Sequence, residues 1–291
     1  MSSPLVPVVY LRESSAEADE IQACKSLFPT YASRVEVPAG SLVFCRYSAL
    51  PFNSELCRDL ELLGSVGINS QFAHDYAATF QYYEDFKEDT FPSWDRLSDI
   101  PQSLRDHPFV VKGRANSRKQ EWSTKMFAPN FAKAVQIAAD LMSDGLIGQQ
   151  GIIARQFIPL ETFETAISGL PFANEWRCFY LAGERVAHGY YWGSIDDWAP
   201  VDHALDDFLK NGLPLADRIA RRACQRIPFC AIDVAKTKDG RWVLVEINDG
   251  DMSGLNGTID PISLYQGIKN ILERKPELLA PPTIPAAKRR P

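Results

Sequence analysis

Two carboxylates and an amide occupy regularly spaced positions of one β-rich stretch, FCAIDVAKTKDGRWVLVEIN, at residues 229–248. Two apolar runs flank an Asp-Gly dipeptide, which is typical of a tight two-residue hairpin turn. With that turn, Asp233 lies directly opposite Glu246, and Asn248 follows on the same face because strand side chains alternate. Opposed carboxylates repel, and carboxylate and amide oxygens suit Mg²⁺ or Mn²⁺. The spacing therefore predicts a divalent-metal site.

The same register divides the hairpin into two faces. The face predicted to join the core carries Ile232, Val234, Val243, Val245 and Ile247. The opposite face carries Ala231, Asp233, Ala235, Leu244, Glu246 and Asn248. A solvent-facing hairpin with ordinary surface acids is the alternative interpretation, and a slip of one residue in the turn would undo the opposition.

Three cations lie in or at the end of predicted strands. Lys112 ends the apolar run 108–113, and Arg155 and Arg177 lie within other β-rich runs. Buried charges need partners. Cations that neutralise phosphate oxygens, beside carboxylates that hold a metal, are what a magnesium-bound nucleoside triphosphate requires. Each cation alone is better explained as a surface or salt-bridge residue, so the inference depends on the joint pattern.

Other chemical signatures are missing. The sequence has no G-x-x-x-x-G-K-[ST], no G-x-G-x-x-G and no G-x-S-x-G, which disfavours P-loop, Rossmann and serine-hydrolase chemistry. None of the six cysteines forms a C-x-x-C pair, so neither a zinc site nor a disulfide framework is indicated. The histidines fit no metal-ligand spacing and are interpreted as structural or surface residues: His74, His107, His188 and His203.

The overall composition is that of an ordinary globular protein. The chain has 291 residues, a net charge of −6 and 45% hydrophobic residues. The acidic balance argues against a dedicated nucleic-acid-binding protein. The N-terminal residues lack a basic segment followed by a long apolar one, and no apolar run approaches ~18 residues. We therefore expect no signal peptide, no membrane span and a cytoplasmic location.

Strands and helices alternate along the chain, which favours an α/β layer architecture. The predicted strands are residues 5–11, 41–47, 66–69, 108–113, 151–158, 175–181 and 185–192, besides the hairpin. Hydrophobic spacing predicts helices over residues 14–27, 54–63, 72–86, 131–142 and 206–221.

From about residue 91 to residue 271 these features resemble the ATP-grasp superfamily, in particular the short ATP-grasp proteins of phages and bacteria. The resemblance implies an α/β (α+β) ATP-grasp fold in which two subdomains clasp ATP at residues 91–275. It also implies an N-terminal α/β pre-grasp domain at residues 1–90. Residues 276–291, which include Lys288-Arg289-Arg290, are expected to form a flexible basic and proline-rich tail.

The resemblance also implies roles for single residues. Lys112 looks like the strand lysine that contacts ATP phosphates, and residues 114–125 occupy the place of the loop that closes over them. The implied nucleotide-contacting residues are Lys112, Arg118, Lys119, Arg155, Gln156, Phe157, Ile158, Glu161 or Glu164 at the ribose, and Glu175. Asp233, Glu246 and Asn248 look like the metal ligands, and the catalytic cations would be Arg177, Lys112 and Arg155. The glycine-rich run 249–257 could offer backbone N–H groups to an acyl phosphate.

The implied reaction is ATP- and Mg²⁺-dependent joining of a carboxylate to an amine through an acyl phosphate. The substrates would be small molecules or peptides. A phosphotransferase on the same fold is the nearest alternative. A nucleic-acid-end ligase is a more distant one, and it would use Arg114, Arg118, Lys119 and the basic tail. A non-catalytic binding module is disfavoured because the opposed carboxylates would lack compensation without a metal.

Overall fold

A computed structural model describes residues 3–12 and 17–281. Its strands are β1 (Val6–Leu11), β2 (Thr30–Tyr31), β3 (Ser41–Arg46), β4 (Val66–Gly67), β5 (Ser93–Trp94), β6 (Phe109–Gly113), β7 (Phe127–Ala128), β8 (Ile152–Gln156), β9 (Thr162–Thr165), β10 (Pro171–Ala173), β11 (Glu175–Leu181), β12 (Glu184–Tyr190), β13 (Phe229–Lys236) and β14 (Trp242–Asp249). Its helices are α1 (Ala18–Leu27), α2 (Asn53–Leu62), α3 (Gln71–Ala78), α4 (Tyr82–Phe86), α5 (Trp122–Lys125), α6 (Phe131–Met142), α7 (Ile147–Gln150), α8 (Ala199–Asp207), α9 (Leu213–Ala223) and α10 (Pro261–Arg274).

The strands form three four-stranded sheets and one small hairpin. The N-terminal sheet is parallel, with order β2-β1-β3-β4. The middle sheet, β5-β8-β6-β7, and the central sheet, β12-β11-β13-β14, are antiparallel, and β9 pairs with β10. This is the α/β fold, with an N-terminal parallel sheet and antiparallel sheets after it, that the resemblance implied. The domain boundaries at residues 90 and 275 stay predictions.

The central sheet is buried on both faces, so every residue of β11 is buried, and so is every residue of β13 except Lys236. One face packs against α3, α4 and α9, with Trp176, Ile232 and Val234 among its fully covered side chains. The other face packs against α1, α10 and the N-terminal sheet through Phe179 and Phe229. Helix α6 covers the middle sheet with the apolar stripe that the sequence predicted.

The structure confirms that Asp233 pairs with Glu246, but the hairpin turn is longer than predicted. The Thr237 N–H donates to the Arg241 carbonyl at 2.8 Å, and the Gly240 N–H donates to the Thr237 carbonyl at 2.9 Å. Three residues therefore connect the strands, instead of two. Gly240 has a φ of +88°, which L side chains rarely adopt.

A β-bulge restores the pairing beyond the turn. Val234 pairs with Leu244, so Val245 is the extra residue before Glu246. The predicted faces are consequently wrong for residues 243–245. Leu244 is fully buried in the core, and Val245 lines a cavity.

Two predicted helices are interrupted in ways that the hydrophobic spacing does not reveal. The segment 72–86 divides into α3 and α4 because Phe80 takes a φ of +65° and its ring stacks on Tyr83 at 5.1 Å. The segment 206–221 contains a π-helical turn at Phe208–Gly212 between α8 and α9. Pro214, which has no amide hydrogen, follows that turn, and the Phe208 ring stacks on Trp176 at 4.2 Å.

Within the described ranges no helix combines the length and apolar character needed to cross a membrane. The predicted basic tail at residues 288–290 lies outside the described residues, as do residues 14–16 of the first predicted helix.

A buried arginine connects the N-terminal sheet to the loop after β14. Arg46, at the end of β3, donates through Nε to Glu20 Oε1 at 2.9 Å and through Nη2 to the Ser253 carbonyl at 2.8 Å. It also donates through Nη1 to the Gly250 carbonyl. Tyr265 in α10 donates to the same Glu20 oxygen at 2.8 Å. This network fixes the N-terminal sheet against the central sheet.

We expect Arg46→Met to lower the free energy of unfolding by about 3–5 kcal/mol, because Glu20 and the loop carbonyls would lose their buried cationic partner. The matched control is Arg34→Met, which removes a half-exposed ion pair with Asp59 and should cost about 1 kcal/mol or less. Urea unfolding of both variants measures the difference. Equal losses would contradict the role assigned to Arg46.

Candidate active site

The opposed carboxylates lie in the interior of the central sheet. Asp233 is fully buried, and Glu246 is directly across from it on β14. The Asn248 amide nitrogen lies 3.1 Å from Glu246 Oε1 and 3.3 Å from Asp233 Oδ2. The three predicted metal ligands are therefore neighbours on one face.

Arg177 neutralises the first carboxylate. It pairs with Asp233 across β11 and β13 and donates Nε to Oδ1 at 2.8 Å and Nη2 to Oδ2 at 2.7 Å. Its Nη1 donates to the Gly254 carbonyl at 3.1 Å, and the guanidinium lies 4.7 Å from the centre of the Tyr191 ring. Burial by itself would lower the pKa of Arg177, but attraction to Asp233 outweighs burial and raises it.

Lys112 neutralises the second carboxylate. Its Nζ reaches Glu246 Oε2 from β6, in the middle sheet. Burial favours a higher pKa for Glu246, but the charges of Lys112 and Lys119 outweigh it and hold the pKa well below the usual range. Protein cations thus compensate both carboxylates, so the expectation that only a metal could do so is wrong.

Lys119 and Glu175 lie beside this cluster. Lys119 donates to the Tyr191 hydroxyl and lies over the Tyr191 and Trp192 rings, 4.1 Å and 4.8 Å from their centres. The Glu175 side chain is 5% exposed. Burial raises the pKa of Glu175 to about 8, against the attraction of Lys119.

The chemistry of these donors fits a hard divalent cation, since two carboxylates and one amide converge on one face. Among the described residues no group of three or more His, Cys, Asp or Glu could hold a metal, so the Asn248 amide would have to complete the set. Its nitrogen faces the carboxylates here, and half a turn of the amide would present its oxygen instead. A metal at Glu246 would also take over the neutralising role of Lys112.

A cavity of about 660 Å³ opens beside the cluster, between the middle and central sheets. The charged residues in its lining are Lys112, Lys119, Arg155, Glu175, Lys238 and Glu246. The predicted nucleotide-contacting residues 156–158 also line it, together with largely apolar side chains, among them Phe91, Val110, Met126, Phe127, Leu160 and Leu170. The cavity is therefore mostly apolar, with a minority of charged groups.

A second, more polar cavity of about 360 Å³ adjoins the first. The two cavities share Lys112, Ser117, Lys119 and Glu246. The second cavity is also lined by Arg177, Asn248, Asp249, Tyr191, His74 and residues 252–254. The charged cluster therefore forms the boundary between two cavities.

Four predicted nucleotide contacts are held by other protein groups. Arg155 lines the first cavity but donates to Ser93, Thr90 and the Val245 carbonyl at 2.7–3.1 Å. The others line neither cavity: Arg118 pairs with Asp144, Glu161 with Lys236, and Glu164 accepts from the Asp196 N–H. Their nucleotide roles stay predictions.

Sequence reasoning missed several cavity residues. Asp249 and Ser117 lie in segments that the sequence analysis had singled out, the run 249–257 and the loop 114–125, whereas His74 and Tyr191 carry no motif and come from distant parts of the chain. In the glycine-rich run 249–257, the Asp251 N–H is used internally, donating to Asp249 Oδ1 at 2.9 Å. The role of that run in phosphate binding stays a prediction.

Comparison with known proteins agrees with this architecture. The chain has a TM-score of 0.53 and 10% identity to ATP-grasp ligase PsnB complexed with minimal precursor, over 92% of this chain and 99% of that one. It has a TM-score of 0.52 and 11% identity to D-cycloserine synthetase DcsG, over 91% and 99%. A RimK domain ATP-grasp protein from Sphaerobacter thermophilus DSM 20745 has a TM-score of 0.50 and 14% identity, over 91% of this chain and 100% of that one. No curated protein matches the sequence.

At such low identity these similarities show the fold alone, which is that of an ATP-grasp protein. The sequence match is more specific. Residues 100–268 match the family described as ATP-grasp domain, R-2K clade family 3, and the chain belongs to that family.

We expect Glu175→Gln to stabilise the protein increasingly as pH rises. The pKa of Glu175 is about 8 in the folded chain and about 4.3 when unfolded, so the folded state holds the proton longer. Between these two pKa values, the free energy of unfolding of the wild type should fall relative to that of the variant by up to about 1.4 kcal/mol per pH unit. Above the folded-state pKa the difference should stay constant. Urea unfolding at pH 5, 7 and 8.5 measures the difference. A stability difference between the two chains that does not change with pH would contradict the raised pKa of Glu175.

Proposed function

We propose that this chain is an ATP- and Mg²⁺-dependent carboxylate–amine ligase that works through an acyl phosphate. The observation that carries the proposal is the pair of cavities that meet at Lys112, Lys119 and Glu246. A ligase of this class must hold a nucleotide and an acceptor on either side of the transferred phosphoryl group. A nucleotide-hydrolysing or purely nucleotide-binding protein needs only one cavity.

The first cavity suits the nucleotide. Its volume of about 660 Å³ is within the range of small-molecule sites, about 300–1,000 Å³. The apolar wall around Phe157 and Ile158 would take the base, and Lys112 and Lys119, which line both cavities, would take the phosphates. Arg155, whose donors are engaged by its neighbours, would support this wall.

Asp233, Glu246 and Asn248 would hold Mg²⁺ or Mn²⁺ at the boundary between the cavities. When bound, the metal would supply charge neutralisation for the phosphates. Arg177 would hold Asp233 in place and present its guanidinium, which lines the second cavity, to the acyl phosphate.

The second cavity suits the carboxylate and the amine. Arg177, Lys112 and Lys119 give it a positive wall that favours a carboxylate. Its volume of about 360 Å³ fits a small molecule or the end of a peptide. Among fold relatives, PsnB is a ligase complexed with a precursor, which is consistent with a peptide substrate.

The direct test is to identify the nucleotide product. The purified chain is incubated with Mg²⁺ and ATP plus a pool of carboxylates without amines, a pool of amines without carboxylates, or both pools. ADP and phosphate that form only when both groups are present would support the ligase. ADP with a stable phosphorylated product would establish a phosphotransferase instead, and AMP with pyrophosphate would exclude the acyl-phosphate route.

We expect Glu246→Ala to lower Mg²⁺-dependent turnover by about a thousandfold or more, since the boundary would lose a carboxylate that faces the phosphates. The matched control is Asp239→Asn at the exposed turn of the same hairpin, which should behave as wild type. Turnover is followed as ADP release. Wild-type activity in Glu246→Ala would remove the metal assignment.

We expect Lys112→Ala to weaken ATP binding by about ten- to a hundredfold, the effect of one charge-assisted hydrogen bond worth about 1.5–3 kcal/mol. Calorimetric titration with ATP measures it, and the exposed Lys87→Ala is the control. Unchanged affinity would show that Lys112 does not contact the phosphates.

A further inference from the structure

The second cavity contains a buried histidine–aspartate pair. His74 Nδ1 lies 3.0 Å from Asp249 Oδ2, and the histidine is 4% exposed. The other Asp249 oxygen accepts from Asn69 Nδ2 at 2.7 Å and from the Asp251 N–H at 2.9 Å. The carboxylate is therefore fixed from two sides.

The surrounding structure holds this pair rigidly. Ser70 caps α3 by accepting the Ala73 N–H at 3.2 Å, which fixes the helix that carries His74. Asn69 is itself clamped to Phe229 of β13, from whose N–H it accepts at 3.0 Å and to whose carbonyl it donates at 2.6 Å. The ring orientation is thus set by the contact between α3 and the central sheet.

This geometry selects one tautomer. A carboxylate at Nδ1 keeps the proton there and leaves the Nε2 lone pair free. Over residues 3–12 and 17–281, Nε2 has no hydrogen-bond partner. His74 lines the same cavity as Lys112, Arg177 and Glu246. Nε2 is not among the fully enclosed side-chain atoms that lack a partner, so it is accessible to a small molecule or to water.

We propose that His74 is the general base for the amine and that Asp249 is its positioning residue. The proposal rests on the ligase function proposed above. The amine nitrogen forms a bond to the acyl carbon, and the carbon–oxygen bond to the phosphate breaks. Phosphate leaves with that electron pair, and the surplus N–H proton moves to His74 Nε2.

The other acids and bases near the cluster are engaged or misplaced for this step. Glu246 is paired with Lys112, and Asp233 accepts both arms of Arg177. Glu175 lines only the first cavity. His74 is the remaining base that lines the second cavity among the described residues.

The first test reads the tautomer without any substrate. The chain is labelled with ¹⁵N-histidine, and the His74 signals are assigned by their loss in His74→Gln. At pH 8.5 the expected result is a protonated Nδ1 and an unprotonated Nε2. A proton on Nε2 in the neutral ring would overturn the proposal, since that nitrogen could not accept another.

The second test separates the two half-reactions. Hydroxylamine is largely uncharged at neutral pH and traps acyl phosphates without needing a base, whereas amino groups are mostly protonated. With Mg²⁺, ATP and the twenty amino acids, His74→Gln should lose amide formation by about a hundredfold or more. Its hydroxamate formation should fall less than about threefold, because acyl-phosphate formation does not use the base. The exposed His203→Gln is the matched control and should retain both.

Each outcome is decisive. Amide formation at the wild-type rate in His74→Gln, or a proportional fall in both products, would overturn the role of His74 while leaving the ligase standing. Wild-type chain that forms neither ADP nor hydroxamate would instead refute the proposed function, and this proposal with it. Thermal unfolding of His74→Gln checks that the variant is folded.

Discussion

The site depends on two carboxylates that face each other inside a sheet. Asp233 and Glu246 pair across β13 and β14, and Asp233 is fully buried while Glu246 is half-buried beside the two cavities. Repulsion between like charges is strong in such surroundings. Arg177 neutralises one from the neighbouring strand, and Lys112 neutralises the other from a different sheet. Because an unpaired buried charge is costly, the Lys112–Glu246 pair restrains the middle sheet relative to the central one. The same ion pairs place the charged boundary between the two cavities.

The N-terminal sheet contributes to the site through the loop that follows β14. Arg46 binds carbonyls of that loop, and Asn69 fixes both Asp249 and the start of β13. Helix α3 then brings His74 to the wall of the second cavity. The N-terminal part of the chain is thus more than a neighbouring domain, because it forms one side of the proposed acceptor site and holds the segment next to the candidate metal ligands.

The two cavities differ in polarity. The first is mostly apolar with a minority of charged groups, and the second is polar over most of its lining. Two cations near the boundary, Lys112 and Arg177, are already paired with carboxylates, so binding of a nucleotide or metal would exchange partners without exposing bare charge. This exchange is physically inexpensive compared with burying new charges, and it is consistent with a site whose charges are preorganised.

Residue periodicity was enough to predict the local features: the α/β alternation, the apolar stripe of α6 and the two strands of the β13–β14 hairpin. Such features depend on neighbours only a few positions away in the chain. The facing of Asp233 and Glu246 was predicted from a two-residue turn, and it holds because the longer turn and the bulge at Val245 compensate each other. The remaining contacts required distant segments to meet. Folding moved Leu244 into the core through a bulge, paired Lys112 with Glu246, turned Arg118 toward Asp144, and placed His74 against Asp249. No spacing in the chain encodes those contacts, because each depends on how separate elements pack.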